Sequence, residues 1–169
     1  MASNQPIKAI DVIKSDTINI PQPGSYITGT NSASNGTTIT DSSANFLGVS
    51  NAGNTGYSNK VAVGDVLYTS GSIVTVTAVI DDNNLTVSPS VTGGATYALY
   101  KSNGGAQTQP VVGHEGYSLY VGVAGNLSVV PAASTDTVVL KGVAAGSFIP
   151  LQVVRVNAAT TASDILALE

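Results

Sequence analysis

The sequence predicts an all-β protein of two small β-barrel or β-sandwich modules with an extended N-terminal arm. Some ten short segments rich in Val, Ile, Thr and Tyr are separated by Gly, Asn, Ser and Asp, as strands are by turns. The stretch SNGGAQTQP (102–110) has Ala as its only hydrophobic residue, which is typical of a linker. We therefore expect an arm over 1–23, a β module over 24–101, a linker over 102–112 and a second β domain over 113–169.

The arm is marked by isoleucines and ends at the turn PQPG. Ile7, Ile10 and Ile13 recur every three residues in IKAIDVIK, which suits a short helix. The next segment, DTINIP, alternates and places Ile18 and Ile20 two residues apart, which favours an extended chain. Helix and extended arm both stand as alternatives. We expect the arm to reach a neighbouring subunit and add a strand to the edge of its sheet.

Turn signals divide the middle of the chain into strands. Asn35-Gly36 is a strong hairpin signal ahead of the strand GTTIT. Gly71-Ser72 falls between VAVGDVLYTS and SIVTVTAVI, and DDNN (81–84) precedes LTVSPSV, with ATYALYK as the last strand of the group. In the C-terminal part, strands are expected over 117–123, 126–132, 136–143, 148–159 and 164–169.

The composition argues against several classes of partner. Charged residues make up 9% of the chain, against about 25% in an average soluble protein, and the formal net charge is −4. The six basic residues form no cluster that would neutralise phosphates, so we expect no nucleic acid partner. No apolar run reaches the ~18 residues that a membrane span needs, and the N-terminus does not resemble a signal peptide. Without cysteine there is no disulfide and no thiolate metal site.

Few residues suggest chemistry. His114 is the only histidine and is followed by Glu115, but neighbours on an extended chain point to opposite faces, so a polar loop is favoured over an acid–base pair. Asp81 and Asp82, in DDNN, have oxygens suited to calcium, yet consecutive Asp and Asn are also what a β-turn prefers. We expect no catalytic residue, no cofactor and no metal site, and hence no enzyme.

The remaining candidates concern packing and interfaces. Five tyrosines lie in strand-like segments and are expected to pack in a core: Tyr68, Tyr97, Tyr100, Tyr117 and Tyr120. The single arginine lies in LQVVRVNAA, where it shares a face with Val153 and Asn157; a salt bridge to a neighbouring subunit and simple exposure to water both remain open. The candidate interface residues are Ile7, Ile10, Ile13, Ile18, Ile20, Tyr57 and Arg155.

Two parts of the chain resemble known virion proteins. The pattern TTITDSSANFL…VAVGDVLYTSGSIVTVTAVIDDNNLTVS…ATYALYK resembles a β module of tailed-phage virion proteins. The segment from YSLYVGVAGNLSVV to TASDILALE is similar to the head spike-base proteins of phages and gene transfer agents. The matching positions are Leu119–Val121, Gly125-Asn126-Leu127, Gly146-Ser147, Ile149-Pro150-Leu151, Arg155-Val156 and Ala162–Ile165.

This resemblance implies a structural protein made in the host cytoplasm and carried on the exterior or a vertex of a phage head. Its partners would be the major capsid protein or other virion proteins, and it would assemble as a homo-oligomer, a trimer or a pentamer. The alternative is a tail-fibre or spike component that binds a cell-surface glycan.

Overall fold

All regular structure in the described part of the chain is β-structure. The computed structural model describes residues 6, 8–48, 60–102 and 116–169, and within them it has twelve strands and no helix. The prediction of an all-β fold is therefore confirmed. The strands are β1 (Ala9–Asp11), β2 (Ile27–Thr30), β3 (Gly36–Thr40), β4 (Val66–Thr69), β5 (Ser72–Val79), β6 (Asn84–Val91), β7 (Thr96–Tyr100), β8 (Tyr117–Val123), β9 (Gly125–Pro131), β10 (Val138–Val143), β11 (Ser147–Val156) and β12 (Ser163–Leu168).

The chain divides into two compact units, each with its own six-stranded sheet. The central unit is Ser25–Lys101, and the terminal unit combines Met1–Gly24 with Ser102–Glu169. The central unit thus begins one residue after the start of the predicted module. Residues 1–24, in contrast, belong to the same unit as the C-terminal strands. Most of the predicted linker, residues 103–112, lies outside the described residues.

The central unit is an antiparallel sheet in the order β2-β7-β4-β5-β6-β3. Its core is formed by aliphatic and aromatic side chains from the strands and from the segment between β3 and β4: Ile39, Phe46, Val61, Leu67, Val74, Val76, Leu85, Val87, Val91, Tyr97 and Leu99. Ser70 and Gly71, both with positive φ (48° and 75°), connect β4 to β5. Two positive-φ residues are what a tight two-residue hairpin turn requires, so the expected turn beside Gly71-Ser72 is confirmed.

The hairpin signal at Asn35-Gly36 was misleading. β2 and β3 stand at opposite ends of the strand order, β2 paired with β7 and β3 with β6. The Asn35 side-chain oxygen instead accepts a hydrogen bond from the Gly93 N–H at 2.8 Å, which ties the turn before β3 to the loop before β7. A local turn signal was overridden here by pairing between strands that are distant in sequence.

The terminal unit is an antiparallel sheet in the order β1-β12-β8-β11-β9-β10. In β8, Tyr117, Leu119 and Val121 are fully buried, whereas Ser118 and Tyr120 alternate with them and point away from the core. The buried set continues on the other strands with Leu127, Val129, Val153, Val156, Ile165 and Ala167.

The N-terminal segment completes this unit. β1 pairs with β12 of the same chain, with Ile10 opposite Ala167, so the extended alternative holds at residues 9–11. Further along, the N–H of Ile20 donates to the carbonyl of Val154 at 2.9 Å, and Tyr117 donates its hydroxyl to the Pro21 carbonyl at 3.1 Å. The segment therefore adds a strand to its own sheet, which corrects the expectation of an arm that adds a strand to a neighbour's.

The isoleucines proposed as interface residues are accordingly placed inside the chain. Ile10, Ile18 and Ile20 are buried, because β1 and the segment after it bring their side chains into the terminal unit, and Ile13 is half-buried. Ile7 lies outside the described residues. Ile10, Ile18 and Ile20 contribute to a core and are not available to a partner of the folded chain.

We predict that Ile20→Ala lowers the free energy of unfolding by about 2–5 kcal/mol, the usual loss when a buried Ile is truncated. Urea denaturation measures it. Ile80→Ala is the matched control, because Ile80 is 59% exposed and the same truncation there should change stability by less than about 0.5 kcal/mol. Equal, small effects of the two substitutions would contradict the packing of the N-terminal segment.

Candidate interaction surface

The terminal unit carries a concentration of exposed apolar side chains. Of the large hydrophobic residues that are exposed in the described part of the chain, three belong to the central unit and lie apart in sequence: Leu47, Val63 and Ile80. The other six belong to the terminal unit: Tyr120, Val123, Val138, Val139, Phe148 and Leu151. Clusters of such residues, unlike single ones, mark surfaces that other molecules cover.

Side chains from three neighbouring strands of the terminal unit, β11, β8 and β12, form an apolar stripe. Tyr120 on β8 is directly opposite Phe148 on β11 and directly opposite Leu166 on β12. Residues opposite each other on neighbouring strands have their Cβ atoms about 5 Å apart, so the three side chains form one continuous row. Phe148 is 52% and Tyr120 is 39% exposed. We call this row, Phe148–Tyr120–Leu166, the apolar stripe.

An acidic residue borders the stripe. Asp164 lies on β12 two residues before Leu166, and it is exposed. Its φ is +52°, a conformation that Asp tolerates better than most residues. Across the sheet, a Cβ on Gly122 would come within 2.8 Å of the Asp164 Cβ, so the glycine leaves the space in which Asp164 sits.

The other exposed region is β10, at the edge of the sheet. Within the described residues β10 pairs only with β9, and Val138 and Val139 are exposed although they point to opposite faces of the strand. Lys141 is exposed beside a β-bulge that begins after Leu140, and it is the only charged residue between 137 and 154. A lysine on an edge strand is a common device against uncontrolled edge-to-edge pairing.

The connection from β10 to β11 is well anchored. The Gly142 N–H donates to the Asn126 side-chain oxygen at 3.0 Å, and the Gly146 N–H donates to the Val121 carbonyl at 2.8 Å. Both glycines have positive φ (64° and 81°), which side-chain-bearing residues rarely adopt. The exposed side chains of β10 and β11 are thus carried by a backbone that is fixed to the rest of the sheet.

The central unit has a different feature, the buried carboxylate of Asp41. It accepts hydrogen bonds from the Ser43 N–H and from the Tyr97 hydroxyl, both at 2.8 Å. Burial alone would raise the pKa of this carboxyl, but these bonds and one from the Thr30 N–H outweigh it and lower the pKa below the usual value. A Cβ on Gly29 would collide with the carboxylate, which explains a glycine in the middle of β2.

A second carboxylate, that of Asp65, joins two more loops. Its Oδ2 accepts from the Tyr26 hydroxyl at 2.6 Å, the Lys101 ammonium at 2.8 Å and the Ala62 N–H at 2.9 Å. The Lys101 ammonium also lies 4.2 Å from the centre of the Tyr26 ring. Burial, first, and then the neighbouring carboxylate raise the pKa of Tyr26 far above its ordinary value, as burial and Asp41 do for Tyr97.

These two carboxylates have the geometry of structural ties. Each accepts several hydrogen bonds from its own chain, and each connects a loop to a strand or to a strand end. Beside Asp41 lies an open hollow of about 330 Å³, lined largely by hydroxyl side chains: Thr28, Thr30, Ser32, Ser42 and Ser43. The buried ring of Tyr97 is not among its lining residues.

Several residues singled out in the sequence are placed elsewhere. His114, Glu115 and Tyr57 lie outside the described residues. The Asp81 carboxylate accepts from the Asn83 N–H at 2.8 Å and the Asn84 amide at 2.9 Å, as expected of a turn. In the described ranges no three His, Asp or Glu side chains are grouped to hold a metal ion.

Arg155 and the tyrosines had mixed outcomes. Arg155 is half-buried, and its Nε donates to the Asn157 side-chain oxygen at 3.3 Å, which supports the shared face with Asn157. A register shift between Val153 and Arg155 breaks the alternation on which the shared face with Val153 was based. Tyr97 and Tyr117 are buried as expected, and the half-buried rings of Tyr68 and Tyr100 lie 4.9 Å apart. Core packing was the wrong expectation for Tyr120, because its position in β8 points away from the core.

Val139 and Phe148 were not identified from the sequence. A signal was present in the run VVLKGVAAGSFIPLQ, which has a single charge and two glycines between its apolar residues.

Comparisons of the chain with protein-family models, with curated proteins and with solved structures gave no match. Among the described residues, no helix has the length and apolar character needed to cross a membrane.

The two carboxylate clusters predict a defined pH range of stability. Because the pKa values of Tyr26 and Tyr97 are raised above 10.0, the stabilisation from their protonated hydroxyls is complete below pH 10 and is lost as the pH rises further. Because the pKa of Asp41 is lowered, its contribution is complete above about pH 4 and is lost as the pH falls below the ordinary value of 3.8.

Urea midpoints measured between pH 3 and pH 11 test this. The midpoint should fall at both extremes, and Tyr97→Phe should be less stable than wild type at pH 7 by about 1.5–3 kcal/mol, the contribution of a hydrogen bond to a charged group. The variant should also lose less stability than wild type between pH 9 and pH 11. An identical alkaline loss in both proteins would contradict the role given to Tyr97.

Proposed function

We propose that this protein is a structural component of a phage virion that decorates or cements the capsid or forms the base of a vertex spike. It acts by protein–protein assembly and not by chemistry. In this role the protein lies on the exterior or a vertex of the head. Its partners are the major capsid protein or other virion proteins, and it assembles with further copies of itself as a trimer or pentamer.

The observation that carries the proposal is the exposed apolar surface of the terminal unit. Phe148 and Leu151 lie on β11 within the segment GSFIPLQVVRV, part of the sequence that resembles spike-base proteins. A chain with only 9% charged residues has few long charged side chains to immobilise when such a surface is covered. The resemblance and the exposed side chains thus concern the same strands.

A second candidate is a tail-fibre or spike component that binds a cell-surface glycan. The hydroxyl-lined hollow beside Asp41 favours it, since hydroxyl and carboxylate groups suit the hydrogen bonds of a sugar. Against it, the Asp41 carboxylate already accepts hydrogen bonds from its own chain.

Light scattering of the purified protein, alone and with empty capsids of the same phage, tests the proposed function. We expect a stable oligomer that binds the capsids. A monomer with no affinity for capsids would contradict the proposal. A response of the protein on a glycan array, without capsid binding, would favour the second candidate.

We further predict that Phe148→Ser lowers the mass of the assembled protein while the chain stays folded, with a loss of stability of about 1 kcal/mol. Half of the Phe148 side chain contacts solvent in the folded chain, so that half is available to a protein interface. Val63→Ser is the matched control, because Val63 is 69% exposed and lies in the central unit. Equal masses for both variants and the wild type would count against an interface at Phe148.

A further inference from the structure

We propose that a second copy of this chain covers the apolar stripe, and that it does so with the exposed face of its β10. In this contact the stripe of one copy meets the β10 face, Val139 and Lys141, of another. This inference rests on the proposed function, since it identifies one of the partners of that assembly and the surfaces that join them.

Each surface carries one exposed charged residue beside its apolar side chains. On β12, Asp164 precedes Leu166 of the stripe by two residues. On β10, Lys141 follows Val139 by two residues, beside a β-bulge that begins after Leu140. When Val139 rests against Leu166, the long side chain of Lys141 comes within reach of Asp164.

Charge decides between the possible pairings of these surfaces. A stripe packed on a second stripe would bring Asp164 of both copies to the same interface, and a β10 face packed on a second β10 face would do the same with Lys141. Like charges at an interface are unfavourable, whereas the mixed pairing places an ammonium against a carboxylate. Charge therefore favours the mixed pairing over the two pairings of like surfaces.

The apolar part of the contact is large enough to contribute. Phe148 is 52% and Tyr120 39% exposed, so together they offer about 180 Å² of surface on the scale of 150–250 Å² for a whole aromatic side chain. A standard interface covers about 800 Å² on each partner. The stripe thus supplies an apolar centre for such an interface.

The contact joins two different surfaces, which has a consequence for the assembly. Two copies related by a two-fold axis can each place the stripe on the β10 face of the other, and otherwise every copy that uses both surfaces is joined to two others. Such contacts close into a ring when the rotation between copies permits it and otherwise continue as a filament. A ring with one axis of rotation is compatible with a place at a symmetric site on a particle.

The test is a charge exchange followed by light scattering over a range of protein concentrations. Lys141→Glu and Asp164→Lys should each weaken self-association by about 30-fold or more, and the double variant should regain most of it. Asp82→Lys is the control, because Asp82 is exposed in a turn of the central unit; it should assemble like the wild type.

Asp164→Asn separates the loss of the charge from a folding defect, since Asn tolerates the positive φ of this position. It should fold like the wild type and still associate more weakly. Raising the salt concentration should weaken association of the wild type and affect Asp164→Asn less.

The outcomes separate this inference from the proposed function. If the wild type assembles and binds capsids but none of the charge variants changes its mass, the inference is overturned and the proposed function stands. If the wild type is a monomer that binds capsids, the inference is likewise overturned. If it neither assembles nor binds, both fail. Loss of assembly in the single variants and recovery in the double variant supports the inference.

Discussion

The terminal unit depends on the burial of isoleucines from the first 24 residues among strands from the last 54. Ile10, Ile18 and Ile20 are buried, and the backbone of this segment bonds to β11 and β12. A unit whose core joins both ends of the chain loses part of that core if either end is removed. The same arrangement brings the N-terminal segment into the unit whose outward stripe and β10 edge remain uncovered.

Tyr120 illustrates how one strand can serve both a core and a surface. Its neighbours in β8, Leu119 and Val121, are fully buried, while Tyr120 points outward between Phe148 and Leu166. In a two-layered protein one face of such a strand packs on the core and the other faces water, so its outward positions are usually polar. Here an apolar residue occupies the outward position of a central strand, which is the arrangement expected where another protein provides the cover.

The polar interior of the central unit has a separate role. Asp41 accepts a hydrogen bond from the hydroxyl of Tyr97, and Asp65 accepts one from the hydroxyl of Tyr26. The backbone hydrogen bonds of a strand ladder or a tight turn would leave these hydroxyls without a partner. Buried carboxylates without such donors would be strongly destabilising. In this chain they connect loops to strands in a unit that has few charged residues, and the carboxylate of Asp41 is held ionised by those donors.

The sequence allowed the strands to be predicted better than their partners. The run YSLYVGV predicted a strand and Gly71 a turn, because both are properties of a few neighbouring residues. The buried face of β8 was not predicted, since Tyr117 and Tyr120 were both expected in a core although they lie on opposite faces. The pairing of β1 with β12 was not predictable, since the two strands are more than 150 residues apart and their pairing depends on the whole fold. The hairpin signal at Asn35-Gly36 was misleading for the same reason, because β2 and β3 pair with strands that are distant in sequence.

The candidate surface was predictable only in part. The C-terminal segment was recognised as the part of the chain with a family resemblance, but the isoleucines of the arm were chosen as interface residues in place of Val139 and Phe148. Hydrophobicity alone does not distinguish a buried central strand from an edge strand, because Val, Ile and Phe are favoured in both. The difference between them appears only when the strand order is known.

The central claim is that β10 and the stripe are covered when copies of this protein meet. Hydrogen exchange of the assembled protein, compared with the same protein diluted until it dissociates, tests this claim directly. The account predicts slower exchange on assembly for the amides of β10 around Val139 and of β8 and β12 around Tyr120 and Leu166. Assembly with unchanged exchange at these amides would contradict it.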